Sequence, residues 1–347
     1  MKIVHASNFS LRDNGANYYA MPYKLSNGLT RLGHFVFNYS DRDVANANLF
    51  RIRELGVGRA NKKLIGVCKE IRPDLLLLGH CTIIKPETVS AIRAAHPGIG
   101  IAHWNCDGLF VEKNLARLQA LAPLVDMSFV TTAGADLKQV VMDGGRATFM
   151  PNPIDKAIEN LRVFERDVAN DLVFLTGFNA YDKEKLEVCD AIKARLPYLK
   201  FDVRGLYGVP GVWGADVFDV MANARMGLNI SKRNDVYLYS SDRMAQLMGL
   251  GILTLTDKRT RFDEIFGPEE LVTYDGVDDL IAKLDHFRKH DDERKKIAEN
   301  GWRRAHEIFS ETVVAQWILD RTFDRALTQT YAWPTEVAKS VGEGTDR

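Results

Sequence analysis

The chain has 347 residues, 46% of them apolar, enough for one large or two medium domains with real cores. Lysine plus arginine and aspartate plus glutamate both number 46, so the net charge is zero. That balance argues against a dedicated nucleic-acid binder, whose footprint is a basic excess.

Cys68, Cys81, Cys106 and Cys189 are spaced neither as a metal clip nor as a redox pair. They read as reduced, mostly buried thiols of a cytosolic protein. The N-terminal MKIVHASNF lacks the apolar core of a signal peptide, and no run reaches the roughly 18 apolar residues of a membrane span.

From the N-terminus, KIVHA, HFVFNY, DLLLLG, GIGIAHW, MSFVTT and ATFMP predict six strands. Helix patterns between them cover 18–32, 61–71, 86–95 and 135–142. Continuous apolar strands alternating with helices indicate a parallel sheet covered on both faces. FMPNPIDKAIENL then interrupts the pattern, because two prolines flanking Asn152 disfavour a continuous helix or central strand.

The alternation restarts with DLVFLTG, LKFDVRG, RMGLNIS, GILTLTD and ELVTY as strands, and with helices at 183–196, 216–224, 242–249 and 277–290. A long helical pattern runs from 291 to 328, and then a polar end. The expected class is α/β with two doubly wound halves: residues 1–151, residues 152–328 including the long terminal helix, and a polar tail at 329–347. Two such halves create a cleft at their strand C-termini, where open α/β sheets bind ligands.

Several residues at those strand ends carry chemistry. Ser240, Ser241 and Asp242 are N-cap types before an apolar helix. Free N–H groups and the helix dipole there suit a phosphate, and Arg243 adds a permanent planar cation. An ordinary capped helix with an exposed arginine is the alternative. Gly249 and Gly251 permit close approach of a ligand to backbone, or a helix C-cap. Gly177, Lys183, Lys185, Arg204, Lys232 and Arg233 follow strand ends. They suit a diphosphate, Arg243 with Arg233 or Lys232 ahead of Lys183, unless they are solvated loop cations.

In the first half, Asp13, Asn14 and Gly15 lie in the loop after the first strand, His80 follows the third, and His103 and Asp107 lie near the end of the fourth. Asp107 and Asp13 are candidate general bases. Asn14, Gly15, His80 and His103 are candidate acceptor-side groups, although turn chemistry alone explains the Asn, Asp and Gly. GLYGVPGVWG is not a dinucleotide fingerprint, and GVGRANKKLIG lacks phosphate-loop spacing. Arg51, Arg53, Arg59, Lys62 and Lys63 form a basic cluster, either a solvated helix face or a contact for anionic lipid or a lipid-linked acceptor.

Taken together, SSDRMAQLMGLGILTLTD resembles the R-x-F-E-x-L-A-x-G-x-x-x-x-T signature of group 1 glycosyltransferases, closest to the CgeB-like, spore-maturation-type branch. GLNIS before it, FGPEELVTYDGVDDLIAKLDHF and DDERKKIAENGWRRAHEIFS after it, and RPDLLLLGHCTIIKPETVSAIRAAHPGIGIAHWNCD and MPNPID in the first half extend the resemblance over most of the chain.

The resemblance implies a GT-B fold: two facing Rossmann-like lobes, nucleotide sugar on the C-terminal one, acceptor on the other. It implies no bound metal or other cofactor, and it leans toward retention of configuration. Arg243 takes the place of the motif arginine. Gln246 takes the place of the glutamate that holds the ribose, and Leu238 stands where the wider E-x7-E pattern has its first acid. An amide accepts at one end and donates at the other, so Gln246 suits a ribose diol less strongly than a carboxylate.

The expected activity is transfer of a sugar to a glycan or lipid-linked acceptor in cell-surface polysaccharide or glycoconjugate synthesis, in the cytoplasm or at the inner membrane face, with no nucleic acid involved. A nucleotide-sugar epimerase of the same fold and a non-catalytic sugar- or nucleotide-binding derivative are the alternatives.

Overall fold

A computed structural model describes residues 1–340 except Leu49, Arg51, Cys81 and residues 178–181. Arg51 and Cys81 of the sequence reading therefore lie outside the described residues, as does the end of the polar tail. The chain divides into two compact units: Met1–Pro153 together with the segment from Glu311 onward, and Ile154–Ser310.

Unit 1 begins with β1 (Lys2–Ser7), α1 (Met21–Arg31), β2 (Phe35–Ser40), α2 (Asp41–Asn46), α3 (Arg53–Ile71) and β3 (Leu75–Gly79). It continues with α4 (Pro86–Ala95), β4 (Gly100–Asn105), α5 (Glu112–Leu121), β5 (Met127–Val130), α6 (Leu137–Val140) and β6 (Arg146–Phe149). The strands pair in parallel in the order β2-β1-β3-β4-β5-β6. Helices on both faces explain why β3, Leu-Leu-Leu-Leu-Gly, is buried along its whole length. Strand order reverses between β1 and β3, which makes their C-terminal ends the expected ligand crevice of this sheet.

Unit 2 contains β7 (Asn170–Leu175), α7 (Lys183–Arg195), β8 (Phe201–Arg204), α8 (Ala215–Met221) and β9 (Ala224–Asn229). After these come α9 (Asp242–Gly249), β10 (Leu253–Asp257), β11 (Val272–Tyr274), α10 (Gly276–Lys289) and α11 (Asp291–Ile308). All five strands are parallel, in the order β8-β7-β9-β10-β11. The switch point here lies between β7 and β9.

The terminal helical pattern departs from expectation. It breaks at Phe309 and Ser310, where Ile154 donates its N–H to the Phe309 carbonyl at 2.7 Å and bridges to Ser310. The next helix, α12 (Glu311–Thr322), belongs to unit 1 and not to the second half. The reason is apolar: Val314, Ala315, Trp317, Ile318 and Leu319 are fully buried there, and Trp317 Nε1 donates to the Phe149 carbonyl at 2.9 Å. Nor is the region after 328 merely polar. Tyr331 and Trp333 are buried against Trp317, with ring centroids 4.7 and 5.9 Å away, and β12 (Val337–Lys339) runs antiparallel to β6 at the sheet edge.

Candidate functional site

In unit 2 the site residues gather where β7 and β9 end. α9 starts just beyond β9, and its second residue, Arg243, reaches back across the switch point. Arg243 Nε donates to the Leu175 carbonyl at 2.6 Å, and Nη1 donates to the Ile230 carbonyl at 2.8 Å. The guanidinium lies 4.8 Å from the Phe174 ring. Burial lowers its pKa to about 10, so it remains a cation at neutral pH. A guanidinium has five N–H donors; these two bonds hold it in place and use two of them.

Two lysines share this edge. Lys185, in the first turn of α7, is buried and paired with the helix-capping Asp182 at 2.7 Å. Burial lowers its pKa first of all; Asp182 opposes this, and the positive fields of Arg243 and Lys232 add to it. Those mutual fields place Lys185, Lys232 and Arg243 in one electrostatic neighbourhood, with Lys232 exposed. The loop joining β9 to α9 is closed on itself: Ser231 N–H donates to Asn234 Oδ1 at 2.9 Å and Ser241 N–H to Ser231 Oγ at 3.1 Å. The buried Ser241 hydroxyl does not cap the helix and has no partner among the described residues.

Other expected donor residues fare differently. Arg204 is spent on Asp202 through two bonds of 2.6 and 3.1 Å, and Arg233 on Asp235 through two of 2.6 Å. Both are neutralised by an acid two residues away, and Lys183 is an exposed partner of Glu187. Gly177 is exposed just after β7.

Gly249 and Gly251 occupy the C-terminal end of α9 and the turn into β10, at the opposite edge of the sheet from Arg243. A Cβ on Gly249 would meet Glu159 at 2.8 Å, and one on Gly251, where φ is +74°, would meet the Phe164 ring at 2.7 Å. Their smallness serves packing and a left-handed turn, which corrects the expected ligand approach. Gln246 is only 6% exposed. Leu238 is buried with φ 54°, a left-handed conformation uncommon for a bulky side chain, held by its N–H bond to the Thr260 carbonyl at 2.9 Å.

In unit 1 the adjacent strands β1, β3 and β4 deliver the other candidates to one sheet edge. His80, directly after β3, adopts φ 48° and donates its backbone N–H to the Trp104 carbonyl at 3.2 Å. Its Nε2 lies 3.3 Å from Asp107 Oδ2, which also accepts from Asn114 Nδ2 at 3.0 Å. Burial lowers the His80 pKa, with Asp107 opposing and Arg42 and Arg117 assisting. His80 Nδ1 is buried without a partner among the described residues.

Asp13 is exposed, 3.9 Å from Arg12, and joins neither His80 nor Asp107. Asn14 and Gly15 beside it have φ 53° and 82°. Their loop is tied to the end of β2, since Leu11 N–H donates to Asp43 Oδ2 at 2.8 Å and Phe9 N–H to Ser40 Oγ at 3.2 Å.

His103 is not an edge group: it is 2% exposed within β4, where burial, then His80 and Arg117, lower its pKa to about 3. An imidazole the sequence reading did not single out, His5, is equally interior. Trp104 Nε1 donates to His5 Nε2 at 3.0 Å. Because an indole only donates, His5 Nδ1 carries the proton and donates to Ser26 Oγ at 2.8 Å, which in turn donates to Asn38 Oδ1 at 2.7 Å.

Burial lowers the His5 pKa from 6.5 to about 3. Below pH 6.5 the unfolded chain therefore binds more protons at His5 and His103 than the folded one, so their stabilisation is full above that pH and lost as pH falls. Asp41, raised to about 6 by burial, works the opposite way. Two imidazoles against one carboxylate leave a net slope of about 1.4 kcal/mol per pH unit on the acid side. Urea midpoints measured from pH 7 down to pH 4 are expected to fall, and His103→Gln is expected to flatten that slope; a midpoint independent of pH would contradict the assignment.

Comparisons with known proteins bear on the fold. Residues 185–320 match the family model described as glycosyl transferase-like. Sucrose-phosphate synthase from Thermosynechococcus elongatus superposes with a TM-score of 0.60 at 11% identity, over 93% of this chain and 98% of that one. The chain has the GT-B fold. Anabaena HepE in complex with UDP and glucose gives a TM-score of 0.60 at 15% identity over 92% and 98% of the two chains. A putative UDP-N-acetylglucosamine 2-epimerase from Listeria monocytogenes gives 0.52 at 11% identity over 95% and 99%. No curated protein matches the chain in sequence.

Proposed function

We propose that the chain is a glycosyltransferase that takes a sugar from a nucleotide-sugar donor held on unit 2 and moves it to a glycan or lipid-linked acceptor held on unit 1. The observation that carries this reading is Arg243, fixed between the ends of β7 and β9 with Lys185 and Lys232 nearby. As the bond from the anomeric carbon to the diphosphate breaks, negative charge grows on the leaving group and positive charge on the sugar ring. Preorganised cations and the α9 N-terminus stabilise the former. The scheme uses no bound metal or other cofactor. Gln246, buried on α9, is the group for a ribose hydroxyl, and Ser241, whose buried hydroxyl has no partner among the described residues, lies beside the phosphates.

With retention, the acceptor hydroxyl attacks on the face the diphosphate leaves, and its proton passes to the departing phosphate oxygen. His80 and Asp107 then orient the acceptor. With inversion, the His80–Asp107 pair, 3.3 Å apart, is the proton acceptor for that hydroxyl. Asp13 is a loop acid available to acceptor hydroxyls. The product belongs to cell-surface polysaccharide or glycoconjugate synthesis at the cytoplasmic side, and the CgeB-like branch is the proposed affiliation, on the sequence motifs alone.

A panel of nucleotide sugars, scored for binding and for transfer or hydrolysis, tests the reading; a folded protein that binds no nucleotide or nucleotide sugar overturns it. Under retention, His80→Ala is expected to raise the acceptor KM and to change kcat little. Under inversion kcat falls by about 10² to 10⁴, and NMR of the anomeric product decides between them. Because the epimerase neighbour shares the fold, conversion of a nucleotide sugar without any acceptor would favour that second activity.

A further inference from the structure

The segment joining α2 to α3 presents apolar side chains outward. Phe50 is 70% exposed, Ile52 46% and Leu55 64%. Asn48 gathers the turn: its Nδ2 donates to the carbonyls of Ala45 at 2.8 Å and Ile52 at 2.7 Å, and its Oδ1 accepts the N–H groups of Phe50 at 3.1 Å and Ile52 at 3.3 Å. Arg59 closes the base through the Ala47 carbonyl. A polar side chain thus organises a turn that leaves its apolar members in water.

The surroundings are cationic. Arg53, Arg59, Lys62 and Lys63 are exposed along α3, and Glu54, paired with Arg53, is the single acid between residues 50 and 63. In a chain of zero net charge this is a local excess. A merely solvated helix face would carry the charges without the apolar tip. Exposed apolar side chains followed along α3 by exposed cations match the two components of interfacial lipid binding: side chains that enter the headgroup boundary and charges that meet anionic headgroups. No described helix is long and apolar enough to cross a membrane, so the contact is one of surface seating.

We infer that this face of unit 1, Phe50, Ile52 and Leu55 with Arg53, Arg59, Lys62 and Lys63, docks on an anionic lipid bilayer. The inference does not depend on the proposed sugar transfer, because the residues assigned to the donor lie in unit 2.

The test uses the full chain, sedimented with vesicles of phosphatidylcholine alone or mixed with phosphatidylglycerol, at low and high salt. The expected result is binding to the anionic vesicles only, weakened by salt. The triple change Arg59→Glu, Lys62→Glu, Lys63→Glu should lower the partition coefficient by about tenfold or more. Phe50→Ser with Leu55→Ser should release the protein at low salt as well. Thermal melting establishes that each variant folds, and nucleotide binding is read separately in the same samples.

Absence of binding to anionic vesicles, or binding that none of these changes weakens, overturns the inference. So does self-association without lipid that Phe50→Ser abolishes, which would assign the face to a second copy of the chain.

Discussion

Replacing Arg243 with alanine is expected to lower kcat/KM for sugar transfer by at least about 10²-fold and to weaken nucleotide binding about tenfold or more. The side chain has two tasks. Its Nε and Nη1 hold the Leu175 and Ile230 carbonyls, and its remaining donors are the ones proposed to meet the diphosphate. Losing the first task leaves two carbonyls without their donor, at about 1–3 kcal/mol each, so the alanine variant should also melt earlier.

Arg243→Lys separates the tasks. A lysine keeps the charge but not the planar fork, so it should bind nucleotide better than the alanine variant and still lose turnover. Calorimetric titration with nucleoside diphosphates, beside thermal melts, distinguishes the outcomes. A folded alanine variant that binds nucleotide as tightly as the parent would remove Arg243 from the site.

The second large effect concerns stability. Ending the chain after Ser310 leaves the unit 2 sheet complete, yet unit 1 should fail to fold. Such a truncation strips away Val314, Trp317, Ile318 and Leu319, all buried in unit 1. At about 1.5–3 kcal/mol per fully buried apolar side chain, the loss approaches 10 kcal/mol, comparable to the whole stability of a domain. The fit is close: a Cβ on Gly28 of α1 would lie 2.1 Å from the Glu311 carbonyl oxygen, so the two helices touch backbone to backbone. Hydrogen exchange on the truncated chain should show protected amides in β7, β9 and β10 and none in β3 and β4. Equal protection in both sets would contradict the division of the chain.

The strands of both parallel sheets are legible in the sequence because each is an apolar run with turn residues around it. Helices without a strong apolar stripe were harder. α5 escaped notice although Leu115, Leu118 and Leu121 recur every third residue, and α2 is too short to show a period. The destination of α12 cannot be read locally: a helical pattern states that a helix forms, not which core receives it.

Site residues divide in the same way. Arg243 was singled out at a helix N-terminus, and His80 and Asp107 by residue type and position after a strand. The structure added that Arg204 and Arg233 are occupied by acids two residues away, that Lys185 rather than Lys183 turns inward, and that Gly249 and Gly251 serve packing. Orientation on a helix and the far end of a contact are properties of the assembled unit, not of a motif.

The return of α12 to unit 1 also orders events during synthesis. A ribosome releases every residue of unit 2 before the helix that completes unit 1 has emerged. The usual N-terminal-first order is thus reversed: the first unit to begin is the last to finish. Until then its sheet waits with the seat for Trp317 unfilled, and nascent chains stalled short of α12 are the ones expected to recruit chaperones.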